Sequence, residues 1–271
     1  MVTFLPTPIG NLQDITLHTL EVLRESDILL CEDTRVTKSL IQLLIKRSLL
    51  PNKDYIYYAL HTHNEKKFLK QTPLEFFSQK IAVLTDAGMP CISDPGVTLV
   101  RHLQAHNLCF EVVGGISALT LIVALSGIVE KEFTFLGFAP HKERKAYFAT
   151  LLKSPYPVVL YESPRRLINA LELMVQYDRT RIVFIAKELT KKYQQTFKGN
   201  IQEVLEELQC SNQALRGEWA MVIDKSQQEL QSPSLTQEAL LSLEIPPKIK
   251  AKILAKITGG KAGDYYRDLI E

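Results

Sequence analysis

The stretch KIAVLTDAGMPCISDPG (Lys80–Gly96) joins a short apolar run to a loop crowded with glycine, proline and aspartate. The run is too short for a helix and is followed by turn residues, so it reads as a buried strand leaving a sheet. Strands apolar throughout belong to parallel sheets, and open α/β sheets bind their ligands outside the carboxyl ends of such strands. The loop therefore reads as a ligand loop. Asp86 and Asp94, each next to a flexible or rigid backbone residue, suit a loop that presents carbonyls and amides to a polar small molecule, with Gly88 in the same turn-dense segment and the prolines fixing its path.

Working outward, VTFL, DILLC, YIYYAL and CFEVV are further short apolar stretches with amphipathic segments between them, a βαβ pattern. Near VVGGISALTLIVALSGI the glycines end a strand and a helix begins; EFTFLGFA, YPVVLYES, RIVFIAKE and EWAMVID supply a second set of strands. The expectation is two α/β domains, residues 1–116 and 117–224, meeting near residues 115–130. A linker (225–234) and a helical tail (235–271) follow. The tail predicts three short helices, with apolar stripes at Leu235, Ala239, Leu243 and at Ile249, Ile253, Ile257. Pro246 and Pro247 separate the first two, and TGG stops the second.

A chain of 271 residues, 46% apolar, is long enough for two cores. LTLIVALSGIV (Leu119–Val129) falls short of the roughly 20 residues of a membrane span, and the N-terminus lacks the features of a signal peptide, so a cytoplasmic location is expected. Cys31, Cys91, Cys109 and Cys210 show no C-x-x-C spacing and predict buried thiols. A net charge of +2 does not announce a nucleic-acid binder. Basic clusters at His141–Lys145, Arg165–Arg166, Lys187–Lys192 and Pro246–Lys261 nevertheless all lie in the second half.

Three other stretches bear on chemistry. In TPIGNLQDIT, Thr7, Pro8, Gly10 and Asn11 form a strand exit and Thr16 caps a helix, without the glycine spacing of a dinucleotide or phosphate loop. In CEDTRVTKSLIQLL, Asp33 or Thr34 makes an N-cap; Arg35 either pairs with a neighbouring acid or grips a phosphate or carboxylate across a cleft. In LHTHNEKK, His61 and His63 would share one side of a strand, but no third ligand is near, so a polar loop is expected and no metal.

TPIGNLQDIT, EDTRVTKSL, DAGMPCISDPG, YESPRRL and KELTKK, in that order, resemble the ribosomal RNA small subunit methyltransferase I family, from about residue 3 to residue 224. The resemblance implies a tetrapyrrole-methylase-like, class III S-adenosylmethionine methyltransferase: a homodimer of two α/β domains that methylates the ribose 2′-hydroxyl of a cytidine in the 16S RNA of the 30S subunit. It puts Pro8 and Gly10 at the floor of the donor cleft, Ser93, Asp94 and Val97 against the donor, and Ser117 and Ala118 at the inter-domain turn. From the second domain it implies Tyr161, Leu189 and Glu162 as further donor contacts. Glu162, Arg165, Arg166, Lys187 and Glu188 would either converge on the reacting hydroxyl as a base or as cations steadying an alkoxide, or form a surface ion-pair network. The chain departs from the family at Met89 (commonly threonine), in GGISA (for GPSA), at Arg165 (histidine) and at Lys187 (arginine). The shared fold also admits a C-methylase of a small tetrapyrrole-like molecule, or a ribosome-binding factor without turnover.

Overall fold

The computed structural model describes residues 1–210, 216–226 and 237–270, with the side chains of 237–239 left out. The chain divides into two compact units, Met1–Gln227 and Gln228–Glu271.

The first unit holds two five-stranded sheets. In the first, β1 (Val2–Leu5), β2 (Ile28–Cys31), β3 (Ile56–Ala59), β4 (Ile81–Leu84) and β5 (Phe110–Val112) run in the order β3-β2-β4-β1-β5, every pair parallel. Alternation along the strands builds a core on each face. Leu5, Leu29, Cys31, Ala82 and Leu84 pack on one side with α1 (Leu17–Glu25) and α2 (Thr34–Lys46). Phe4, Ile28, Leu30, Ile81 and Val83 pack on the other with α3 (Glu65–Gln71) and α4 (Val97–Ala105). Thr16 caps α1 as expected, accepting from the Thr19 N–H at 3.0 Å.

The second sheet contains β6 (Thr134–Phe138), β7 (Val158–Glu162), β8 (Ile182–Lys187), β9 (Gln195–Asn200) and β10 (Trp219–Ile223), in the order β6-β7-β10-β8-β9. Only β6 and β7 are parallel; the other pairs are antiparallel. One face packs on α6 (Arg144–Leu151), α7 (Pro164–Val175) and α8 (Ile201–Cys210) through Leu160, Ile185 and Met221. The other packs on α5 (Ala118–Ser126) through Val159, Phe184 and Val222, and Ile9 of the first half joins that layer. Each fully buried aliphatic side chain in these layers contributes about 1.5–3 kcal/mol.

Several expectations need correction. The strand β9 was not read, because QTFKGN mixes polar residues, glycine and one aromatic at a sheet edge, where burial leaves little apolar trace. His61 and His63 lie in the turn between β3 and α3, the polar loop expected of them, and among the described residues no group of three or more His, Cys, Asp or Glu is placed to hold a metal. Of the four cysteines expected to be buried, Cys31 is buried, Cys91 is half-buried, and Cys109 and Cys210 are exposed. No described helix is long and apolar enough to cross a membrane.

Among its described residues the second unit carries three helices, α9 (Gln237–Ser242), α10 (Pro247–Thr258) and α11 (Ala262–Asp268), with Gly259 in the left-handed region at φ 76° ending α10. Residues 227–234 of the expected linker, together with Leu235 and the Ala239 side chain, lie outside the described residues. The expected stripe on α10 is not its buried face. Ala251 and Leu254 are buried, whereas Ile249 and Ile257 are exposed. The row that faces inward, Ala251 and Leu254, is offset from the expected one, whose middle residue Ile253 is half-buried.

Candidate active site: a cleft between two sheet edges

β1, β2 and β4 end level, with Leu5 and Cys31 both paired to Leu84, so the loops that follow emerge at one edge. In the second sheet β7 and β8 end, and the antiparallel β10 begins, at a common edge, because Trp219 pairs with both Glu162 and Lys187. A cavity of about 360 Å³ lies between these edges.

The first-sheet wall is held by backbone. Thr7 and Gly88 exchange two hydrogen bonds, 2.9 and 3.0 Å, fastening the TPIGN turn to the loop after β4. Gly88 sits at φ +86°, a conformation open to glycine. Cys91 and Ser93 also take positive φ, 70° and 68°, the strained backbone of a loop shaped for something other than its own stability. Asp86 accepts from the Asp33 N–H at 3.0 Å and Glu32 from the Asp86 N–H at 3.3 Å, so two loops clasp each other through carboxylates. Glu32, Asp86 and Asp94 all face the cavity. Burial raises the pKa of each, and for Asp94 burial together with the charges of Glu32 and Asp86 pushes it up to about 7. Arg35, by contrast, turns back on Asp33, Nη2 to Oδ2 at 2.5 Å with 88% of its side chain exposed, and this pairing lowers the Asp33 pKa to about 2.

The second-sheet wall is aromatic and cationic at its back. Tyr161 lies half-buried, and burial pushes its hydroxyl up to about 12. Glu162 has a fully buried side chain: Arg166 Nη2 lies 2.9 Å from Oε1, and Arg144 Nη2 lies 2.8 Å from Oε2, close enough to pair although off the hydrogen-bond axis. Arg166 also donates to Ser163 Oγ (2.9 Å) and to the Ala139 carbonyl (3.2 Å), and Arg144 to the Pro140 carbonyl (3.1 Å). The ends of β6 and β7 and the start of α7 are thereby tied into one piece.

Of the residues singled out from the sequence, Asp86, Gly88, Ser93, Asp94, Ser117, Ala118, Tyr161, Leu189 and Glu162 line this cavity. Pro8, Gly10, Val97, Arg165, Lys187 and Glu188 are not among the lining residues. Ile9 faces the cavity instead of its two neighbours. Gly10 does a different job: a Cβ there would fall 2.2 Å from Lys191 Cγ, so the glycine lets the loop after β8 cross onto the TPIGN turn, where Thr190 Oγ1 accepts from the Asn11 N–H at 3.2 Å. Glu188 is engaged by Lys191 Nζ (2.8 Å) and by the Glu218 N–H (3.0 Å), and Lys187 Nζ rests over the Trp219 ring at 5.4 Å. Arg165 points to solvent. Glu32, Met89, Phe138 and Trp219 were not expected at the cavity. Of these, Met89 lies within the stretch read as the ligand loop, and Glu32 is an acid at the end of a strand that runs parallel to the ligand-loop strand; Phe138 and Trp219 had no comparable signal.

The comparisons with known proteins agree with this geometry. The profile of the Tetrapyrrole (Corrin/Porphyrin) Methylases matches residues 1–205. The chain is 46% identical to a ribosomal RNA small subunit methyltransferase I of Campylobacter fetus, over 100% of both chains, and 43% identical to one of Helicobacter pylori, over 100% of this chain and 98% of that one. Among solved structures it is similar to uroporphyrin-III C-methyl transferase from Thermus thermophilus complexed with S-adenyl homocysteine. The TM-score is 0.54 at 15% identity, covering 82% of this chain and 96% of that one.

Proposed function

Because the chain belongs to the tetrapyrrole (corrin/porphyrin) methylases and, among them, to the ribosomal RNA small subunit methyltransferase I family, we propose that the cleft between its two sheet edges is where a methyl group passes to the ribose 2′-hydroxyl of a cytidine in 16S RNA. The protein is a methyltransferase of small-subunit ribosomal RNA that uses S-adenosylmethionine. The observation that carries the assignment of the cleft is its charge: Glu32, Asp86 and Asp94 share a half-buried wall with no basic side chain among the described lining residues. Three carboxylates held that way call for a cationic ligand, and the donor, with its sulfonium and ammonium, has that chemistry. S-adenosylmethionine supplies a methyl group on a positively charged sulfur whose charge vanishes on transfer.

The chain's own residues do the rest. Asp86, Asp94, Ser117 and the backbone of the Gly88 turn hold and orient the donor, and Ile9, Met89 and Leu189 keep that part of the cleft dry. Glu162 is locked between two arginines and Glu188 is engaged by Lys191. Orientation of the hydroxyl toward the donor methyl in the dry cleft supplies rate, and the proton that the hydroxyl sheds on transfer passes to water at the mouth of the cleft. A homodimer, the 30S subunit as the working substrate and a cytoplasmic location belong to the same reading.

The test is transfer of a labelled methyl group from S-adenosylmethionine to 30S subunits that lack the modification, with the product nucleoside identified by mass. A labelled 2′-O-methylcytidine is expected; label on a base carbon, or on none of the RNA, would overturn the reading.

A further inference from the structure

Phe138 is the last residue of β6, lines the cavity, and is 58% exposed. An exposed phenylalanine taken singly needs no explanation. This one is aimed. The β6–β7 pairing runs Thr134 to Val158 and Phe135 to Val159, then resumes with Phe138 opposite Tyr161. Three steps on one strand match two on the other, so β6 carries one extra residue. In a regular strand Phe135 and Phe138 would point to opposite faces; the extra residue turns Phe138 to the face of Phe135. Both rings then meet the Tyr161 ring edge to face, at centroid distances of 5.2 and 5.4 Å. The bulge is built around Gly137 at φ +64°, and a Cβ there would lie 2.9 Å from Ser93 Oγ, so the same glycine lets the donor loop close against the strand.

The result is a row of three rings that begins at half-buried Phe135, packed against the core, passes through half-buried Tyr161, and ends at Phe138 with an open side at the cavity mouth. The ground beside it is basic. His141 and Lys142 on the next loop and Lys145 in the first turn of α6 are exposed, with exposed Glu143 between them, as is Arg165 directly after cavity-lining Pro164, and the Arg144 and Arg166 bonds to the Pro140 and Ala139 carbonyls hold the two segments together. A flat apolar face bordered by cations has the chemistry of a single-stranded nucleic-acid site, where bases stack on aromatic rings and the backbone is held by charge.

We propose that Phe138 is the platform on which an unpaired nucleobase of the RNA stacks as its ribose enters the cleft. The inference rests on the reading of the cleft given above and adds the residue that positions the substrate. Stacking on such a ring typically contributes about five- to 150-fold to binding.

The experiment compares wild type, Phe138→Ala, Phe138→Trp and Phe138→Leu in methyl transfer to 30S subunits, in donor Kd by calorimetry and in sedimentation. Phe138→Ala should lower kcat/KM on the order of tenfold or more, a larger change than in donor Kd. Phe138→Trp should stay near wild type, and Phe138→Leu should remain low, because it restores apolar area without a π-face. Wild-type kcat/KM in the alanine variant, rescue by leucine equal to rescue by tryptophan, or a changed oligomeric state in Phe138→Ala would each overturn the proposal, the last by assigning the ring to a contact with a second copy of the chain. Should the alanine variant not fold, the tryptophan and leucine variants alone decide. Wild type that transfers no methyl to 30S subunits would remove the reading of the cleft itself, an outcome distinct from an active wild type with an indifferent Phe138.

Discussion

Asp94 carries a proton at pH values where an ordinary aspartate has long lost it, because burial, and then the charges of Glu32 and Asp86, push its pKa up to about 7. A cationic ligand favours its charged form, so binding below pH 7 must expel a proton and grows weaker as the pH falls. Donor affinity should therefore rise with pH up to about 7 and level off above it, and calorimetry in buffers of different ionisation enthalpy should detect proton release on the acid side. Asp94→Asn should bind weakly and without this pH dependence. The same shift has a cost for the fold. A carboxyl whose folded pKa lies above its unfolded value of 3.8 holds its proton more tightly in the native state, so this contribution to stability is full below about pH 4 and is lost as the pH rises through 7. Asp94→Asn should accordingly raise the melting temperature of the ligand-free protein at pH 8 and do so less at pH 5; a fall at pH 8 would contradict the account.

Among elements, the adjacent arginines at the start of α7 separate most clearly. Arg166 faces inward to Glu162, Ser163 and the Ala139 carbonyl, while Arg165 stands in solvent. Arg166→Ala should cost on the order of 2–3 kcal/mol by urea denaturation, below the 3–5 kcal/mol of a buried charge left wholly unpaired because Arg144 still holds Glu162. Arg165→Ala should change stability by less than about 0.5 kcal/mol. Equal losses in the two variants would place the pairing wrongly. Sequence reasoning treated this pair as one cationic cluster, since nothing in PRR says which side chain turns toward β7. It did find the strands with uniform burial, such as IAVL and WAMVI, and the Gly/Pro/Asp loop, because burial on both faces and special backbone angles leave composition behind. It missed β9 and Phe138. An edge strand has no apolar run to read, and the bulge that re-aims Phe138 is a matter of register, which a single strand's sequence does not carry.

At the scale of the whole molecule, the cavity and both its walls are built from residues before 227, while α10 in the second unit presents Lys248, Lys252 and Lys256 beside exposed Ile249 and Ile257. That unit has its own internal ties: Lys250 Nζ donates to the Leu241 carbonyl at 2.7 Å, and Thr258 Oγ1 lies 2.8 Å from the Tyr265 hydroxyl. A helix with a lysine-rich face of this kind suits RNA backbone contact, whose energy comes from charge and falls as salt rises. The truncation that tests it should end after Ser226, whose N–H donates to the Ser154 carbonyl at 2.8 Å and so belongs to the first unit. The shortened chain should keep its donor Kd, since no cavity residue is lost. Its methylation of 30S subunits should fall more than its methylation of a short RNA, which offers little backbone beyond the cleft, and the gap should narrow as salt is raised and screens the contacts that the full chain makes. Equal activity of the two chains on 30S subunits at low salt would leave the module with a purely structural role.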